Sequence, residues 1–193
     1  MKSMVATMLA LLAVALAGVA FWLWTPDLDR STLEARYFDR HSVYVEVEGI
    51  RLHVRDSGPK DAPALLLLHG FGASLHTWEP WAQALDASYR VIRIDLPGSG
   101  LTGADPTNDY TDARAVRLLV ALLDRLDVPR ASVIGNSVSG RIAWKLAALH
   151  PDRIEKLVLI SPDGFASPGF AYHVRPEVPA VLGLMRYALP KWM

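Results

Sequence analysis

Cysteine is missing from all 193 residues of this chain. Its absence excludes disulfides, thiolate nucleophiles and cysteine-ligated zinc, and is compatible with either side of a bacterial membrane. A charge excess of either sign is missing too. Lys and Arg number 20, Asp and Glu number 20, and the formal net charge is zero, so no large field draws the protein to nucleic acid or acidic surfaces. Nucleic acid is therefore not expected as a partner. The six histidines show no metal-ligand spacing, so no metal or cofactor is expected. Internal repeats and low-complexity segments are absent as well.

A long apolar run, by contrast, is present. From Met4 to Trp24 the chain carries no charged residue, and at about 1.5 Å per helical residue that length crosses a hydrocarbon core about 30 Å thick. A membrane anchor is the expected role of residues 4–24. The rival is a cleaved signal peptide, since Ala15-Leu16-Ala17 has the small residues of a cleavage site. Cleavage there would leave Phe21, Trp22, Leu23 and Trp24 as an apolar stub, whereas the tryptophans suit the membrane interface of an uncleaved anchor. Lys2 and the amino terminus compete with Arg30, Arg36 and Arg40 in setting orientation. The expectation is a domain on the outer, periplasmic or extracellular, side, with secretion after signal cleavage as the alternative.

Beyond the anchor, Pro26 and the charged stretch to Arg40 read as a linker or short surface helix. Val43, Val45 and Val47 alternate with Tyr44, Glu46 and Glu48, Gly49 turns the chain, and Arg51 to Arg55 alternate again, which predicts an entry β-hairpin with His53 as a polar member of its second strand. The runs Ala64 to Leu68, Val91 to Ile94, Ala131 to Ile134 and Leu157 to Ile160 are apolar apart from Arg93 and Ser132, as strands buried on both faces are. Helices are predicted over Trp78 to Asp86, Tyr110 to Leu126 and Val138 to Leu149. In the second, Ala115, Leu118, Leu119, Leu122 and Leu126 recur at helical spacing and read as core. His150, before the helix-ending Pro151, reads as a surface or helix-dipole residue. Alternating strands and helices predict an α/β fold with a mostly parallel sheet.

The most informative stretch is Gly135-Asn136-Ser137-Val138-Ser139-Gly140, between a strand and a helix. A serine at the apex of such a turn is held in a strained backbone conformation that exposes its hydroxyl, and small flanking residues are needed where strand and helix crowd together. The following helix presents its positive end where an oxyanion would form. A tight turn of small residues without chemistry is the competing reading. Upstream, two more strands run into glycine-rich loops, His69-Gly70-Phe71-Gly72 and Asp95-Leu96-Pro97-Gly98-Ser99-Gly100.

With these segments in this order, residues 43 to 175 resemble the α/β-hydrolase fold superfamily, and Gly-Asn-Ser looks most like its serine-nucleophile esterase and carbon–carbon bond hydrolase branches. The resemblance implies Ser137 as nucleophile, the amides of Phe71 and Val138 as oxyanion donors, and His69 as a residue packed beneath the oxyanion loop. Ser139 departs from the family's glycine and adds a side chain at the elbow. In this fold the acid and the histidine follow the serine. Asp163, directly after the sixth strand, is at a position where some branches place the acid, although Ser161-Pro162-Asp163-Gly164 reads first as a turn. Only His150 and His173 follow Ser137; the first is about 18 Å along the helix, and the second comes too soon after the sixth strand.

The expected organisation is a transmembrane anchor or signal segment at 1–25 and a linker at 26–41, followed, as the resemblance implies, by a partial hydrolase core at 42–164 holding strands 1 to 6 and the start of a substrate-covering cap at 165–193. The family's last strands, with the acid and histidine, are not in this sequence. The expected function is hydrolysis of a small apolar ester or diketone through Ser137, with the 193-residue chain alone inactive for want of a base. Two alternatives stand beside it. One is a non-catalytic, membrane-attached pseudoenzyme. The other is a dinucleotide-binding protein, in which Gly70-Phe71-Gly72 and Asp95 would cradle the cofactor; Leu75 at the third glycine position argues against it. A small-molecule substrate is implied, and no protein partner is indicated.

Overall fold

The computed structural model describes residues 2–24 and 28–164. The first described element is the apolar helix α1 (Lys2–Leu23), whose side chains from Met4 to Trp22 are almost all exposed.

The remaining elements begin with α2 (Arg30–Tyr37), β1 (Ser42–Val47), β2 (Ile50–Ser57) and β3 (Ala64–Leu68). A short 3₁₀ turn (Leu75–Trp78) leads into α3 (Glu79–Leu85), β4 (Arg90–Ile94), α4 (Asp112–Arg125), β5 (Ala131–Asn136), α5 (Val138–Leu149) and β6 (Ile154–Ile160). Glu48 and Gly49 both take positive φ, 45° and 82°, the twist that a two-residue hairpin turn between β1 and β2 requires. Thr111 starts α4 by accepting the Arg114 amide at 3.2 Å, an ordinary N-cap. That helix buries Val116, Leu118, Leu119, Leu122 and Leu123; Ala115 and Leu126, expected in the core, are only partly buried.

The six strands form one mixed sheet in the order β1-β2-β4-β3-β5-β6. β1, β2 and β4 pair antiparallel, while β4, β3, β5 and β6 run parallel. The parallel register aligns the ends of β3, β4 and β5, so the three loops that begin at His69, Asp95 and Ser137 emerge at the same edge. In such sheets this is the edge where ligands bind.

Two expectations need correction. Leu157 to Ile160 is not buried on both faces: Leu157 is 38% and Val158 43% exposed, because among the described residues β6 pairs only with β5. His53 is not a half-exposed member of an alternating strand but completely buried, since β2 is covered on both faces and Phe38 stacks on its ring with centroids 5.6 Å apart. The stretch before β1 contains a short surface helix, α2, one of the two forms expected for it. In α2, Arg30 donates to the Leu101 carbonyl at 2.7 Å and Glu34 accepts the Tyr44 hydroxyl at 2.6 Å, while Arg55 holds the carbonyl of Tyr37 at 3.1 Å.

Candidate active site

The site is built by three loops. At the end of β5 the chain reverses sharply into α5, and Ser137 takes φ 55°, ψ −123°. A side-chain-bearing residue pays roughly 1–3 kcal/mol to sit there, and the surroundings explain why it stays. The Ser137 amide donates to Ile160 O at 3.0 Å, and its carbonyl accepts from Gly140 at 2.9 Å and Asp163 at 3.0 Å. A Cβ on Gly135 would lie 2.5 Å from Ser139 O and 2.8 Å from Ala143 Cβ; one on Gly140 would lie 2.6 Å from Pro162 Cβ. Both glycines are therefore needed where strand and helix touch. Among the described residues no group hydrogen-bonds the Ser137 hydroxyl.

The loop after β3 lies directly over this turn, for a Cβ on Gly70 would lie 3.3 Å from Ser137 Cβ. His69 is buried and both its nitrogens are spent. Nε2 accepts the Leu96 amide at 3.1 Å and Nδ1 donates to Gly70 O at 2.8 Å. His69 is thus an orienting group and not a base for Ser137, as its place beneath the loop implied. Gly70 O also accepts from Ala73 at 3.3 Å. In a trans peptide the carbonyl and the next amide point opposite ways, so pinning Gly70 O also fixes the direction of the Phe71 N–H. Val138, first in α5, has no intrahelical acceptor. Neither amide has a hydrogen-bond partner among the described residues.

Phe71 and Val138 both line a cavity of about 470 Å³ whose walls include Leu96, Pro97, Leu118 and Ile142. The walls are largely apolar. One buried cation lines it, Arg114, and it is already compensated: Nε donates to Asp105 at 2.9 Å and Nη1 to Glu48. The Arg114 hydrogen bond, followed by that of Thr107, holds the Asp105 carboxyl down at about 2. No sequence signal announced this pairing, since Glu48 is 66 residues away.

The third loop is anchored by Asp95, which is 1% exposed. Its carboxylate accepts from His53 Nδ1 at 2.7 Å and from the amides of Leu75 and Leu101 at 2.7 and 2.8 Å. Burial pushes this carboxyl up, but His53 and the two amides outweigh it and hold it below its ordinary value. Buried and held by three donors from within the fold, it is not presented to a ribose, and the dinucleotide reading loses its acidic residue.

Asp163 is engaged by Arg141 of α5 and by the Gly164 amide at 2.7 Å; its backbone touches the elbow, but among the described residues no histidine accompanies it. Arg141 and Lys145 also grip Asp112; burial raises that carboxyl, and the two cations more than reverse the effect. His150 caps the far end of α5, and His173 lies outside the described residues. No cluster of His, Asp and Glu suited to a metal occurs among the described residues.

Comparison with known proteins bears on this geometry. The model of the family described as alpha/beta hydrolase fold matches residues 63–193. The AB hydrolase superfamily protein YfhM of Bacillus subtilis is 31% identical over 153 residues, which are 70% of this chain and 54% of that protein. Among solved structures, a Vigna radiata epoxide hydrolase variant superposes with a TM-score of 0.58 at 35% identity, covering 61% of this chain and 37% of the other. A membrane phospholipase A described as a bacterial virulence factor superposes with a TM-score of 0.65 at 31% identity, covering 86% of this chain and 54% of the other. The chain spans about half or less of the length of these relatives.

Proposed function

Because the chain belongs to the alpha/beta hydrolase fold family, we propose that it contributes the nucleophile and oxyanion hole of an acyl hydrolase acting on small apolar esters. The observation that carries this reading is the strained turn at Ser137 beneath a loop whose Phe71 amide, like that of Val138, is unspent and borders an apolar cavity. Ser137 Oγ attacks the ester carbon, the carbonyl electron pair moves onto oxygen, and the two amides hold that charge. Collapse expels the alcohol, which takes the proton lost by Ser137 through a general base; water then releases the acid from the acyl-serine.

The identity of the nucleophile favours acyl transfer over the epoxide opening named for one relative. A serine that opened an epoxide would be left as an alkyl ether, which water does not readily cleave, whereas an acylated serine is an ester. Attack on a diketone with carbon–carbon cleavage also ends in an acyl-serine and is the neighbouring reading. The base lies outside the described residues: His53 and His69 are committed, His150 is at the wrong end of α5, and His41 and His76 lie beside Arg40 and Tyr37. Asp163 is the candidate acid on the present chain.

Residues 4–24 act in this reading as a membrane anchor, with Trp22 and Trp24 at one interface and the catalytic domain on the outer side. The similarity to a membrane phospholipase A supports a substrate held near lipid. The test is alcohol release from a short aryl ester by the detergent-solubilised chain, with and without Ser137→Ala. Release that disappears in the variant supports the reading; release unchanged by Ser137→Ala removes it.

A further inference from the structure

Ser139 lies in the first turn of α5, two residues beyond Ser137, and its side chain is fully buried. Its hydroxyl donates to the carbonyl of His69, tying the first turn of α5 to the root of the loop after β3. From the same His69 two further bonds fan out, Nδ1 to Gly70 O and Nε2 from the Leu96 amide. The carbonyl of Gly70 belongs to the peptide whose nitrogen is Phe71 N, the outer oxyanion donor of the proposed site.

We propose that Ser139 is a positioning residue for the oxyanion hole: its hydroxyl fixes the His69 backbone, the fixed His69 ring pins the Gly70 carbonyl, and the pinned peptide aims the Phe71 amide over Ser137. This deepens the acyl-transfer reading and rests on it for its catalytic meaning, but the brace itself is a property of the fold. A donor aimed beforehand stabilises developing charge without reorganising during the reaction. Here the brace is covalently part of the elbow, so nucleophile and oxyanion loop keep their distance even though they are 68 residues apart in sequence.

Ser139→Ala removes the hydroxyl with almost no change in volume. Two amides report on the loop because His69 and Gly70 accept from them, Leu96 and Ala73. In the full chain in detergent, Ser139→Ala is expected to speed hydrogen exchange at both by roughly tenfold, the factor that corresponds to about 1.4 kcal/mol, while Val133 in β5 and Leu146 in α5 exchange as before. The carbonyl carbon resonance of His69 should shift with loss of its donor. Ser139→Cys, a weaker donor of similar size, should fall between the two and serves if Ser139→Ala does not fold. Unchanged exchange at Ala73 and Leu96, or an equal rise at Val133 and Leu146, overturns the proposal. Where Ser137-dependent turnover is present, kcat should fall in Ser139→Ala with KM unchanged. If alcohol release is unchanged by Ser137→Ala, the acyl-transfer reading fails separately, and the exchange and resonance measurements still decide whether the brace exists.

Discussion

His53 Nδ1 donates to Asp95 Oδ2 at 2.7 Å with both side chains shut away from solvent. This one contact joins β2 to the loop that forms a wall of the cavity, and the same carboxylate holds the amides of Leu75 and Leu101. Three segments, β2, the turn at Leu75 and the loop at Leu101, therefore share a single buried acceptor.

Asp95→Asn should lower stability by about 1.5–3 kcal/mol, the range for hydrogen bonds to a charged group. Its pH dependence has a definite sign. The folded carboxyl lies below its ordinary value, so its stabilisation is fully present above the unfolded value of about 3.9 and is lost as pH falls through the folded one. Thermal melts between pH 2 and 6, in steps of about one unit, should show a smaller acid-side decline in the variant than in the wild type.

Asp105, held at about 2 by Arg114 and then Thr107, stays ionised well into acid. Its contribution is present above about 3.9 and disappears as pH falls towards 2. Arg114→Met should move acid unfolding to higher pH, read by circular dichroism along a pH titration; an unmoved midpoint would contradict the pairing.

Ser137→Gly should raise stability by about 1–2 kcal/mol, because glycine occupies φ 55°, ψ −123° without the strain of a side chain. Ser137→Ala should leave the melting temperature almost unchanged. Both should abolish Ser137-dependent ester cleavage, so the pair separates backbone strain from chemistry.

Gly135→Ala places a methyl 2.5 Å from Ser139 O and 2.8 Å from Ala143 Cβ, and should cost about 1–3 kcal/mol by overpacking. A denaturant midpoint equal to wild type would show that strand and helix separate more readily than their spacing implies.

Carbonate extraction should leave the intact chain in the membrane fraction, since α1 offers 20 consecutive residues, Met4 to Leu23, of mean hydropathy 2.5. A soluble product with its amino terminus near Gly18 would identify a signal sequence instead.

Elements with a strong repeat were legible in the sequence. The hairpin alternation, the apolar runs of β3 to β5 and the helical spacing of α4 each follow from local pattern, and the elbow was visible because only small residues fit beside it. What stayed hidden depends on partners far along the chain. His53 occupies a slot that alternation marks as polar, and only the arrival of Asp95 and Phe38 makes that slot interior. The short, polar α2 has no apolar stripe to announce docking, because it is held by single bonds to Leu101, Tyr44 and Arg55. Ser139 looked like crowding at the elbow, since sequence shows its volume and not the acceptor at His69 O that its hydroxyl meets.

The bond from Arg30 to Leu101 spans 71 positions, which gives the chain a schedule. At synthesis rates of about 5–20 residues per second, α2 waits about 4 to 14 s for its acceptor to be made. Asp95 emerges 42 positions after His53, so the imidazole is also without its carboxylate for several seconds in about the same regime. Throughout that interval the groups that fasten α2 and the β2 imidazole in the finished domain have not yet been synthesised, so neither can be locked in place until the loop after β4 is made.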